Sequence, residues 1–167
     1  MKNISFLSHG GFSAINNIPY HERTIDLYFP GSYHKPENVL NSINSLPEVY
    51  KNMSHVFIEQ MLGDPLLTLQ DALSSYLEAY HFEHTPQEFM ELMNLFQIVD
   101  QYIRAVTRDN CLRCLLDHNI KISVSGSGWD KFPSSGRNLD IISTEGLDIT
   151  NTLKTMGNSK MVLNHIP

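Results

Sequence analysis

The apolar positions change period twice along the chain. Thr24-Ile25-Asp26-Leu27-Tyr28-Phe29 is rich in β-formers and stops at Pro30-Gly31-Ser32, which predicts a strand and a tight exit. Residues 4–7 predict a shorter strand, followed by a Gly-, Asn-, Ser- and His-rich loop over 8–22. From Pro36 the period becomes three and four. Pro36 and Glu37 suit a first helical turn, and Pro47 breaks and restarts the run. Val49, Met53, Val56, Phe57 and Met61 then form a stripe that Gly63-Asp64-Pro65 ends. Thr68 opens another helix with Leu69, Ala72, Leu73, Tyr76 and Leu77. Thr85-Pro86-Gln87-Glu88 is a capping box with proline at the first helical position. Phe89, Leu92, Met93, Phe96, Val99, Ile103 and Val106 follow on one face. Leu112, Leu115 and Leu116 extend it to about Asn119, a residue able to close a helix in the left-handed conformation.

Beyond Asn119 the strand pattern returns. Ile120 to Val124 predicts a strand ending in Ser125-Gly126-Ser127-Gly128-Trp129, and Leu139 to Ile142 predicts a weaker one. Asp148 caps a short helix reaching Met156, and Lys160 to Asn164 is a last strand. Strand, helices, strand, loop, strand, helix, strand is the order of an α/β fold, here a small parallel Rossmann-like sheet with a long all-helical insertion after the first strand. The domain organisation expected is an N-terminal strand and loop over 1–23, then one domain over 24–167 with the helical insertion at 36–118.

Composition narrows the partners. Of the 167 residues 41% are apolar and 18% charged, as in a globular chain, and the net charge is −6. That balance argues against a nucleic-acid partner. No run of about 18 apolar residues is present, so no membrane span is expected. The N-terminus lacks a signal-peptide pattern and two cysteines make no secreted framework, which places the chain in the cytoplasm.

In an open α/β sheet, ligands bind beyond the carboxyl ends of the strands. Gly31-Ser32 and Gly126-Ser127-Gly128 both fall there, and small residues of this kind let a phosphate approach the backbone. For each turn alone, a plain strand exit is the competing reading. Arg104 and Arg108, one helical turn apart, form a possible phosphate clamp. Against it stands a solvated face partnered by Asp100 or Asp109.

Other motifs are weaker. Cys111-Leu112-Arg113-Cys114 lies late in a helix and lacks a second pair, so it reads as buried small side chains rather than a redox or zinc site. His81 and His84 read as a polar loop. His9-Gly10-Gly11 has no serine elbow to accompany it, which removes a serine hydrolase. Lys131 stands where a dinucleotide fingerprint needs its third glycine, and no phosphate-loop motif exists. Met53, Met61, Met90 and Met93 read as core filling, with a docking face as the alternative.

The segment from Cys111 through Asn119-Ile120-Lys121-Ile122-Ser123-Val124 to Ser125-Gly126-Ser127-Gly128-Trp129 resembles the GT-B glycosyltransferases of the spore-maturation type. Ile25 to Ser32 is similar to the opening strand of their C-terminal domain, and Ser159-Lys160-Met161-Val162-Leu163-Asn164 to a later strand. The resemblance covers about half the chain. It implies a domain that binds a UDP- or GDP-type sugar without metal or other cofactor. Gly31 and Ser32 would then lie near the diphosphate, Gly126, Ser127, Gly128 and Trp129 on the nucleotide side, and Asn164 near the donor. It also implies hexose transfer, with an acceptor domain supplied separately or through a homo-oligomer. The family's His-Glu-Arg-like donor stretch does not follow Asn164, and His21-Glu22-Arg23 precedes the first strand. The chain is therefore expected to act as a fragment, inactive alone, with no catalytic residue assigned. The rival expectation is a non-enzymatic protein–protein interaction module built on the helical region.

Overall fold

A computed structural model describes residues 18–133 and 138–163. The predicted strand at 4–7, the His9-Gly10-Gly11 segment and Asn164 lie outside the described residues. The fold is α/β with a four-stranded, wholly parallel sheet and a long helical stretch after the first strand. The chain divides into two compact units, the sheet with residues up to 32 and from 119, and a helical unit over 33–118.

In the sheet unit, β1 (Ile25–Pro30) pairs on one side with β2 (Ile122–Ser125), which pairs in turn with β3 (Leu139–Ser143). On its other side β1 pairs with β4 (Ser159–Val162), giving the order β3-β2-β1-β4. The connection between β3 and β4 carries α5 (Ile149–Gly157), which packs on β1 and β4. Asp148 starts that helix by accepting a hydrogen bond from the Asn151 N–H at 2.8 Å. Period-two alternation gives the sheet two chemically different faces. Leu27 and Phe29 share one with Ile122 and Val124, all buried. Tyr28 shares the other with Ser123 and Ser125, which are also buried. The Tyr28 and Ser125 hydroxyls are hydrogen-bonded and Ser123 Oγ donates to Asp140, so the burial of these hydroxyls is compensated. Between β1 and β4, Lys160 pairs with Asp26 at 2.6 Å. That ion pair holds the Asp26 carboxyl below its ordinary range, chiefly through the Lys160 hydrogen bond.

The helical unit comprises α1 (Pro36–Asn44), α2 (Glu48–Gly63), α3 (Leu69–Ala79) and α4 (Pro86–Asp117). With 32 residues α4 runs about 48 Å, and the other three pack along it. Its start is the predicted capping box: Thr85 Oγ1 accepts from the Glu88 N–H, and Glu88 Oε2 accepts from the Thr85 N–H at 2.7 Å. Its end is Asn119, at φ +59°. The core gathers Ile43, Met53, Phe57, Leu73, Phe96 and Val99, with Phe57 edge-on to both Tyr76 and Phe96. The predicted α2 stripe needs one correction. Met53, Phe57 and Met61 are buried together with Ile58, whereas Val49 and Val56 face outward. Among the methionines, Met53 and Met61 fill the core, Met93 packs against it and Met90 is exposed.

Candidate ligand site at the sheet rim

Both glycine turns leave the carboxyl ends of adjacent strands, and they meet. The Gly31 N–H donates to Ser125 O at 2.9 Å, and the Gly126 N–H donates to Ser143 O at 2.9 Å. Gly126 sits at φ +140°, and a Cβ placed there would lie 2.6 Å from the Gly31 carbonyl carbon and oxygen. Glycine is thus required at 126 by backbone approaching backbone as well as by its dihedral angle.

Above this contact the side chains lock the two turns. The Ser127 N–H and Oγ both reach Ser32 Oγ, at 3.2 and 3.0 Å. Trp129 Nε1 donates to Gly31 O at 2.8 Å. The Trp129 ring is 1% exposed and packs on Phe29 and Phe132, so it fastens the rim from below and offers no open face for a base to stack on. The rim presents the exposed Ser127 with the half-buried Ser32 and Gly128. The N–H groups of Gly31, Gly126 and Ser127 are engaged internally and the Ser127 hydroxyl donates to Ser32 Oγ, so a ligand oxygen at this rim would have to take the place of that hydroxyl pairing. The strand order reverses between β1 and β4, which is where open α/β sheets form their binding crevice, so the Gly31-Ser32 turn borders that crevice and the Gly126 turn lies on the far side of β1 from it.

Arg104 and Arg108 belong to the helical unit. Arg104 Nε donates to Asp100 at 2.7 Å, the partner its spacing suggested. Asp109 instead takes Arg113 and, at 2.9 Å, the Tyr33 hydroxyl. Burial first, then the hydrogen bond and charge of Asp109, push the Tyr33 phenol up to about 12. A folded-state pKa above the ordinary 10.0 contributes stability that is present below pH 10.0 and lost as pH rises toward about 12. Asp109→Asn is expected to bring the late tyrosinate step part-way back toward 10.0 in an absorbance titration, leaving the remainder caused by burial. An unchanged titration would show that Asp109 does not act on Tyr33.

Cys111 and Cys114 correct the expectation of a buried pair: both thiols are exposed on α4. His81 and His84 are exposed, and no group of three or more His, Cys, Asp or Glu among the described residues is arranged to hold a metal ion. No described helix is long and apolar enough to cross a membrane. Sequence reasoning missed the hydroxyl-lined sheet face and the Tyr33–Asp109–Arg113 cluster. The alternation of Tyr28, Ser123 and Ser125 with apolar neighbours carried a signal for the first. The second joins residues 76 apart and had none.

Comparison of the chain with protein-family models, curated proteins and solved structures found no match.

Proposed function

We propose that the sheet unit binds a nucleoside-diphosphate sugar at the carboxyl rim of β1 and β2, in the manner of the nucleotide-sugar half of a GT-B glycosyltransferase. The observation that carries this reading is the meeting of Gly31-Ser32 with Gly126-Ser127 next to the reversal of strand order. Ser32 and Ser127 would turn their hydroxyls to the diphosphate, and Gly128 keeps the approach open. The pieces resembling the spore-maturation-type enzymes contribute these same turns. In hexose transfer the unit's part would be electrostatic, through donors aimed at the departing diphosphate. The acceptor and the remainder of the donor site would come from another domain or another copy of the chain.

Thermal denaturation with UDP- and GDP-sugars tests this. A ligand at about ten times its Kd should raise the Tm by about 3–5 °C. Ser127→Asp puts a carboxylate where the diphosphate would lie and is expected to abolish the shift while leaving the unliganded Tm near that of the parent. No shift with any nucleotide sugar, or a shift that Ser127→Asp leaves intact, would overturn the reading.

One observation favours a second reading, the interaction module. The helical unit carries a groove of about 640 Å³ between α3 and α4, lined by Phe89, Met90 and Met93 with His84 and Gln70 around them. Methionine-rich apolar surface adapts to partner side chains.

A further inference from the structure

Charge is distributed unevenly along the helical unit. Between Lys51 and Arg104 the chain carries eight carboxylates and no lysine or arginine. That stretch holds most of α2, the whole of α3 and the first half of α4. It also supplies both walls of the groove of about 640 Å³, with Gln70 and Ser74 on α3 and Phe89, Met90 and Met93 on α4. Met90 is 55% exposed there, a large apolar side chain left in water. Exposed carboxylates adjoin the lining residues. Glu78 lies one turn beyond Ser74, Glu83 precedes His84, and Glu91 lies one turn before Asn94. Neither α3 nor α4 before Arg104 has a lysine or arginine of its own to pair with them.

We propose that this groove binds a basic amphipathic helix of a partner protein, with apolar side chains seated on Phe89, Met90 and Met93 and lysines or arginines over the surrounding carboxylates. The proposal rests on the interaction-module reading and names the chemistry of the partner. The part of α4 that lines the groove, Pro86 to Gln97, is about 17 Å long, the length of three turns of a docked helix. Over that length a helix presents apolar anchors at i, i+3 or i+4, and i+7. The unbranched methionines adjust to anchors of different shape. Gln70, Asn94 and Gln97 add amide groups that can meet the polar margin of the partner. The acidic surroundings select the sign of its charge: they speed the encounter with a cationic helix and penalise an acidic one of the same shape.

Fluorescence anisotropy of the full chain with labelled synthetic helices tests this. The probe is a peptide of about 18 residues with leucines at helical spacing and lysines elsewhere, compared with a sequence-scrambled isomer of equal charge and an analogue carrying glutamate for lysine. The basic helix is expected to bind with a Kd of about 10 μM or below at low ionic strength, and both comparison peptides about tenfold more weakly or worse. Met90→Ser, at an exposed position, should weaken the basic helix about fivefold or more while leaving the Tm unchanged. Replacing Glu78, Glu83 and Glu91 together by glutamine should weaken it about tenfold, whereas removing the same charge at Glu22, Asp130 and Glu145 of the sheet unit should not. Equal binding of the scrambled isomer, or equal weakening by the two triple variants, would overturn the proposal. Binding of the acidic helix as tight as that of the basic one would overturn the partner's charge and leave the docking groove standing. No binding of any helix up to about 1 mM would overturn the interaction-module reading as well.

Discussion

Replacing Gly126 by alanine is expected to lower the Tm by about 10 °C or more. Two costs add. The residue sits at φ +140°, where side chains are rarely tolerated, and strain of this kind costs about 1–3 kcal/mol. The new methyl would also lie 2.6 Å from the Gly31 carbonyl and 2.7 Å from the Ser32 nitrogen. Those are backbone atoms, held in place by the Gly31-to-Ser125 ladder bond and by Trp129. Neither can swing aside as a flexible side chain would, so relief means separating β1 from β2 at the rim. Overpacking of a fixed neighbour adds about 1–3 kcal/mol. Gly146 separates the two costs: it too has positive φ, at +86°, but a Cβ there meets nothing within 4 Å. Gly146→Ala should therefore show the conformational cost alone. Equal Tm losses for the two variants would refute the close approach of the turns.

Phe57→Ala should be comparably damaging, costing about 3–5 kcal/mol. Phe57 is fully buried on α2, with ring centroids 5.5 Å from Tyr76 on α3 and 5.0 Å from Phe96 on α4. Its ring bridges three helices, so truncation leaves a cavity that no single helix can collapse to fill. Its neighbour Val56 is 38% exposed. Val56→Ala should move stability by no more than about 0.5 kcal/mol. Denaturant unfolding followed by helical circular dichroism reads both. A large loss for Val56 and a small one for Phe57 would mean that α2 presents the opposite face.

Much of this architecture was written locally. Capping at Thr85, termination at Asn119, the break at Pro47 and the return of period two after Ile122 are short-range effects, each decided within a few residues by backbone hydrogen bonding and φ. The glycine turns were legible for the same reason. The exposed faces were not. Val49 and Val56 match the α2 period as well as Ile58 does, and Cys111 and Cys114 match a core pair, because spacing fixes which residues share a face and not what lies against it.

The elements, their order and the chemical character of the two strand exits were thus readable from residue types and spacing. The tertiary structure alone decided that Gly126 seats on Gly31, that Trp129 ties the two turns from inside, and that His34 shares a cleft with Arg104 and Arg108. Those pairings join residues tens of positions apart. They depend on β1 lying next to β2 and on α1 packing against α4, arrangements set by the joint burial of many side chains rather than by any one segment.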